Sequence, residues 1–310
     1  MNPVTVAAVD CGTNSIRLLI SRRNEDGTSV EIARRNTIVR LGQGVDKTGT
    51  LDPRAVERTR AALAAYVEEM EAAGVTRVRM VATSATRDAS NREDFFAMTR
   101  ELLGRIQPGA EAEVISGDEE AALSYAGATA DLKQAGNVCV IDLGGGSTEF
   151  ITSDSSISTQ MGCVRVTERL MRSNPPAEQE VDAARAFVRE RIAEAVAAVD
   201  LSRAQGFVGC AGTFTTLCAL AQGLETYDPE RIHMAEVSFD SVRHVAAELL
   251  RQTSQQRAAH PAISEGRADV IAAGCVIVEE IMDAAERLTN HRSFVISEKD
   301  ILDGIVADLI

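Results

Sequence analysis

Two short stretches hold the residues best suited to chemistry, "DCGTNSIR" from Asp10 to Arg17 and "DLGGGSTE" from Asp142 to Glu149. Each opens on an aspartate, turns through glycine and hydroxyl residues, and closes on a charged side chain. Successive backbone N–H groups in such a turn can form a nest for an anion. Gly144, Gly145 and Gly146 exceed what a tight hairpin requires, since each glycine costs conformational entropy on folding. No lysine follows them to complete a nucleotide-binding loop. Amides for phosphate oxygens, flanked by carboxylates that offer hard ligands to Mg2+, suit phosphoryl transfer to water.

A third stretch, "ISGDEEAAL", places Ser116 and Glu119 in the spacing of a capping box. That gives Glu119 a structural duty and leaves Glu120 without one, in the first turn of a helix just after a strand. A carboxylate there can take a proton from water as a general base. Three other segments have plain readings. "GQGVDKT" has Asp46 where a Walker loop needs glycine and reads as a surface turn. "GRADV" reads as a helix start with Arg267 on a solvated face. "TSATRDASN" reads as a capped loop, although Arg87 and Asn91 stand where a strand ends, a common place for ligand contacts.

The elements that must position these residues alternate between strand and helix, an α/β order. "VTVAAVD" reads as a buried strand with "IRLLIS" as its hairpin partner. Asp52 and Pro53 start a helix that Gly74 ends. "RVRMVATSA" and "AEVIS" read as further strands, and "GDEEAALSYAGA" as a helix. Shifted by 132 positions, "VCVIDLGGGSTEFIT" lies on "VAAVDCGTNSIRLLI" without a gap, so that Asp142 falls on Asp10 and Glu149 on Arg17. A duplicated strand–turn–strand unit follows, and with it two related domains flanking an interdomain cleft. Beyond it come a helix from 177 to 199, the strand "GFVGC", the turn "AGTFTTL", a helix through "GRADVIAAGCVIVEEIMDAA", the strand "SFVIS" and a last helix in "EKDILDGIVADLI".

Composition narrows the function classes. A length of 310 residues suits two domains of about 150 each. The net charge of −14 argues against a nucleic-acid footprint, and 4% aromatics leave few platforms for stacking bases. The six cysteines show no C-x-x-C spacing and read as buried free thiols in a reducing compartment. There is no secretory signal, and the apolar run 270–278 is too short to span a membrane, so a cytoplasmic protein is expected.

Taken in order, "VDCGTNSIRLLI", "VRLGQGVD", "TSATRDASN", "ISGDEEA", "VIDLGGGSTE", "MGCVRVTE", "GTFTTL" and "GRADVI" resemble the exopolyphosphatase and guanosine pentaphosphate phosphohydrolase family, most of all its short actinobacterial exopolyphosphatases. The resemblance implies an α/β fold of two ribonuclease H-like domains in the actin, heat-shock chaperone and sugar kinase superfold. It places them at 1–128, completed by the helix 298–310, and at 129–297. It implies release of terminal orthophosphate from inorganic polyphosphate with Mg2+ or Mn2+, or the same chemistry on guanosine pentaphosphate. Glu120 would be the general base, and Asp142 and Glu149 would organise the metal. Gly144, Gly145, Gly146 and Ser147 would cradle phosphate, with Asn14, Ser15 and Arg17 on a first phosphate turn and Arg87 as a phosphate contact. A homodimer is expected, with the helix 177–199 as one interface; an ATP-using kinase of the superfold and a non-catalytic sensor are the competing classes. The chain ends without the extra C-terminal helical domain of longer members, so processive digestion of very long polyphosphate is not expected. The family's Ile-His-Gly segment is Ile232-His233-Met234 here, and His233 is given no catalytic role.

Overall fold

The structure, a computed structural model, describes residues 3–133 and 136–310. In chain order its elements begin β1 (Val4–Cys11), β2 (Ser15–Arg23), β3 (Ser29–Ile38), α1 (Val45–Thr48), α2 (Pro53–Ala72), β4 (Arg77–Ala82), α3 (Ser84–Asp88), α4 (Glu93–Leu103), β5 (Ala112–Val114) and α5 (Gly117–Thr129). They continue with β6 (Cys139–Leu143), β7 (Thr148–Ile151), β8 (Ser156–Thr159), α6 (Cys163–Leu170), α7 (Glu178–Ala198), β9 (Phe207–Cys210) and α8 (Ala211–Ala221). The last are α9 (Pro229–Ile232), β10 (Ala235–Ser238), α10 (Phe239–Arg251), α11 (Ser254–Ala258), α12 (Ile271–Leu288), β11 (Ser293–Ile296) and α13 (Ile301–Leu309). The chain divides into two units, Met1–Gly127 with Ile301–Ile310, and Ala128–Asp300.

In the first unit the sheet order is β3-β2-β1-β4-β5, with β1 antiparallel to β2 and parallel to β4. β1 is apolar without alternation because both its faces are covered. Ala7, Val9 and Cys11 join the core with Leu63, Val67 and Phe95 of α2 and α4. Val6 and Ala8 pack with Leu123 of α5 and with Ile301, Leu302 and Ile305 of α13. Asp10 follows Val6 and Ala8 on that second face, where the apolar strand gives way to the turn.

The second unit repeats this plan. Its sheet order is β10-β11-β9-β6-β7-β8, so β6, β7, β8 and β9 take the places that β1, β2, β3 and β4 hold in the first. Cys139, Ile141, Leu143 and Phe150 turn into a core built with α6, α7, α8, α10 and α12. Asp142 and Glu149, one residue out of phase with them, point to the other face.

Several segments depart from the sequence reading, among them the helix start read at "GRADV", since α12 begins only at Ile271. "AGTFTTL" is the start of α8 rather than a turn. Its glycine and threonines favour turns locally, but Phe214 is buried and stacks edge-on to Phe294 at 5.1 Å, and tertiary burial outweighs weak propensity. The "TSATRD" stretch is helical in α3, with the N–H groups of Thr86 and Arg87 both donating to Thr83 O. The final helix begins at Ile301, not at Glu298, because the residues before it are engaged elsewhere: Glu298 accepts from Tyr227 at 2.5 Å and Lys299 pairs with Asp131 at 2.6 Å.

Candidate active site

The glycine turn joins β6 to β7, with Asp142 directly opposite Glu149 and Leu143 opposite Thr148. Gly144 N–H closes the hairpin on Ser147 O at 3.0 Å. The start of α6 takes up the turn's carbonyls. Cys163 N–H donates to Gly144 O, Val164 and Arg165 N–H donate to Gly145 O, and Arg165 Nε donates to Gly146 O at 2.7 Å. This close approach needs Gly162, where a Cβ would fall 2.4 Å from the Gly145 carbonyl. With the carbonyls held from one side, the amides are left for something else. Among the described residues no acceptor meets the N–H of Gly145, Gly146 or Ser147. Three successive donors of this kind form an anion cradle.

Beside the cradle runs a row of polar side chains across three strands. Asp142 of β6 is 8% exposed, Glu149 of β7 is 2% exposed, and Ser158 of β8 lies opposite Glu149. Ser158 Oγ donates to Glu149 Oε1 at 2.6 Å. Like charges directly opposite one another in a sheet repel, and a cation answers that repulsion. Among the described residues no three His, Cys, Asp or Glu side chains converge as a closed metal cage. Two carboxylates are, however, the usual protein share for Mg2+, which keeps waters and takes substrate oxygens for the rest. The donor set fits that cation, or Mn2+, and does not fit a structural zinc.

In the first unit the turn has the same backbone with different charges. Gly12 N–H closes on Ser15 O at 2.9 Å, and Asp10 stands opposite Arg17. Arg17 Nε and Nη2 both donate to Asp10 Oδ2, at 3.0 and 2.7 Å. Asn14 is fixed by its carbonyl, which accepts from Val39 and Arg40 N–H, while Ser15 begins β2. Thr13 Oγ1 lies 2.9 Å from Ser84 Oγ, tying the turn to α3. The last turn of α3 carries Arg87, whose Nη1 donates to Ile115 O and to Glu120 Oε2 at 3.3 Å. Glu120 is 8% exposed. The structure thus brings together two residues the sequence nominates separately.

Only half of the expected capping box forms. Ser116 Oγ accepts from Glu119 N–H at 3.2 Å, but the Glu119 carboxylate turns to Arg79 Nη2 at 2.5 Å. A full guanidinium charge, already flanked by Glu113, outcompetes a backbone amide for that carboxylate.

One feature escapes the sequence reading. β9 runs parallel to β6 with Cys210 beside Asp142, so the β9–α8 turn lies next to the glycine turn. Ala211 adopts a left-handed φ of 65° there. Arg267, expected on a solvated face, is partly buried, and its Nη1 donates to Gly212 O at 2.6 Å and Thr216 Oγ1 at 3.2 Å. A Cβ on Gly212 would sit 2.0 Å from the guanidinium carbon. The available signal was the strand "GFVGC" ending directly on Ala-Gly-Thr, a strand-to-helix switch at the carboxyl end of a parallel strand. Burial pushes the Cys163 thiol up to about 11 and that of Cys139 to about 12. His233 is occupied structurally, with Nε2 2.9 Å from Asp131 Oδ2 and Nδ1 accepting from Glu298 N–H.

A cavity of about 310 Å³ in the second unit, lined by Glu168, Arg172, Asn174, Arg257 and Asp269 among others, includes none of the glycine-turn residues. Among the described residues no helix is long and apolar enough to cross a membrane.

The sequence pattern of the Ppx/GppA phosphatase family matches residues 19–308. The chain is 48% identical over 312 aligned positions to exopolyphosphatase 2 of Mycobacterium tuberculosis, covering 98% of each. It is similar to the crystal structure of an exopolyphosphatase-like protein, with 38% identity and a TM-score of 0.92 over 100% of this chain and 98% of that one. A Ppx/GppA family member from Aquifex aeolicus superposes with a TM-score of 0.78 at 30% identity, over 99% and 97% of the two chains.

Proposed function

Because the chain belongs to the Ppx/GppA phosphatase family, of actin-like fold, we propose that it is an exopolyphosphatase, releasing terminal orthophosphate from inorganic polyphosphate. One observation carries the assignment to residues: three acceptor-free amides, of Gly145, Gly146 and Ser147, stand beside the buried carboxylates of Asp142 and Glu149. The amides, with Gly144 shaping the turn, hydrogen-bond the oxygens of the terminal phosphate. Asn14, Ser15, Arg17 and Arg87 contribute further phosphate contacts. Asp142 and Glu149 hold Mg2+, or Mn2+ in its place, which when bound neutralises charge on the transferring phosphoryl group. Glu120 takes the proton from the attacking water, and Arg87, bonded to its Oε2, fixes the carboxylate's direction. Almost all of the catalysis is positioning and charge complementarity, as phosphoryl transfer requires little covalent work from the protein. A cytoplasmic location and a homodimer belong to the same proposal.

Incubating the protein with polyphosphate of defined length and Mg2+ should release orthophosphate, and chelation of the metal should stop it. No release above a heat-inactivated control, with Mg2+ or Mn2+, rejects the reading. Guanosine pentaphosphate presents the same terminal phosphoanhydride, so kcat/KM measured side by side ranks the two; we expect polyphosphate to be preferred.

A further inference from the structure

Ser158 sits on β8, the edge strand of the second sheet, directly across from Glu149. On an edge strand a half-exposed serine hydroxyl has water as a ready partner. Here it donates to Glu149 Oε1 at 2.6 Å, the length of a charge-assisted O–H···O⁻ bond. We propose that Ser158 is a positioning residue for Glu149: by fixing one carboxylate oxygen it sets the direction in which the other faces a divalent cation. The proposal rests on the reading above that Asp142 and Glu149 hold the metal.

The physical need is specific. The terminal torsion of a glutamate is broad and nearly two-fold, so an unsupported carboxylate samples many orientations even when its stem is buried. Mg2+ demands near-ideal octahedral geometry and tolerates such wandering poorly. A neutral hydroxyl removes the freedom without cancelling the negative charge, which a lysine or arginine at 158 would do. The repeat supports this logic. At the equivalent place in the first sheet Asn36 of β3 stands opposite Arg17, and there the charged residue is already fixed by two bonds to Asp10. In the second sheet the opposing residue is another acid, Asp142, which offers Glu149 no donor when ionised. The third strand supplies one instead.

The test compares Ser158→Ala with Ser158→Thr, which keeps the hydroxyl and suits a strand. Mn2+ binding is measured by electron paramagnetic resonance with inorganic phosphate present, alongside melting curves. Loss of a hydrogen bond to a metal-ligating carboxylate typically costs 10–100-fold in metal affinity. We expect a weakening of that order in Ser158→Ala, near-native affinity in Ser158→Thr, and little change in melting for either. In turnover, the Mg2+ concentration for half-maximal rate should rise while kcat at saturating Mg2+ is largely kept. If Ser158→Ala binds Mn2+ like the parent while the parent binds and turns over substrate, the positioning role falls and the functional reading stands. If the parent itself binds no Mn2+ and releases no phosphate, both fall.

Discussion

Asp10 faces Arg17 across the β1–β2 hairpin, and Asp142 faces Glu149 at the same register across β6–β7. Both turns are closed by the same backbone bond, Gly12 N–H to Ser15 O and Gly144 N–H to Ser147 O. In each, a following segment holds the turn's carbonyls: residues 39–42 in the first unit and the start of α6 in the second. The backbones are copies and the charges are opposites. The first turn is neutralised internally, its aspartate only 5% exposed and gripped by a guanidinium. The second sets two carboxylates against each other, a like-charge opposition that disfavours a strand pair. The two copies therefore share a scaffold, while one side-chain position, Arg17 against Glu149, decides whether the aspartate across the hairpin faces a cation or another acid.

The proposed function sets the metal-binding carboxylates and the glycine cradle in the second unit and the general base, Glu120, in the first. The largest expected effect tests the second half of that division. Glu120→Gln is nearly isosteric and should keep the fold, yet lose roughly 10²- to 10⁴-fold in kcat, the range for removing general acid–base help. Glu119→Gln, which breaks only the Arg79 ion pair, should leave kcat near the parent value. Steady-state kinetics on polyphosphate decide it: if Glu119→Gln abolishes turnover and Glu120→Gln does not, the base is misassigned.

A smaller effect, in stability, tests the charge contrast itself. Arg17→Gln leaves the buried Asp10 without its guanidinium. Removing one partner of a fully buried pair costs about 3–5 kcal/mol, and because Arg17 is itself partly exposed we expect about 1–3. Glu149→Gln should act in the opposite direction on the metal-free protein, adding up to about 1 kcal/mol by removing a like-charge opposition, while losing the stabilisation that Mg2+ gives the parent. Urea titrations with and without Mg2+ measure both. Equal destabilisation by the two substitutions would show that the turns do not differ as their charges indicate.

The scaffold was legible because its signals are local. The gap-free overlay of "VCVIDLGGGSTEFIT" on "VAAVDCGTNSIRLLI" anticipates the shared hairpin register, and an apolar run ending in aspartate marks each strand. The charge contrast was also visible, as Glu149 falling on Arg17. What stayed hidden depends on partners distant in sequence. Arg267 looks like a surface residue of "GRADV" until the fold brings it to Gly212, 55 positions away. Ser158 lies in the polar, unremarkable string "SSISTQ" and gains meaning only from pairing with β7. Glu119 looks like a capping residue because its rival, Arg79, is on another strand.

The smallest effect separates strain that serves the turns from strain that does not. Among the described residues, three that are not glycine adopt left-handed backbone, Arg40, Ala211 and Met234. Arg40 donates its N–H to Asn14 O in the first turn, and Ala211 directly follows Cys210, the neighbour of Asp142. Strain at such places is commonly retained where function over-determines the backbone. Met234 is different. It precedes β10, the opposite edge of the sheet, three strands and so roughly 14 Å from β6 at ~4.8 Å per strand. Its φ is 58°. A left-handed conformation costs an ordinary residue about 1–2 kcal/mol, and the entropy a glycine loses on folding returns about 0.5–1 of that. Met234→Gly should therefore raise stability by about 0.5–1 kcal/mol, or roughly 1–4 °C in Tm for a protein of this size. The N–H bond to Ile296 O at 2.7 Å is kept, since glycine retains that donor. Metal affinity and kcat should be unchanged. A gain in Tm accompanied by a loss of kcat would mean that the strain at Met234 reaches the glycine turn, and the separation drawn between the two kinds of left-handed residue would not hold.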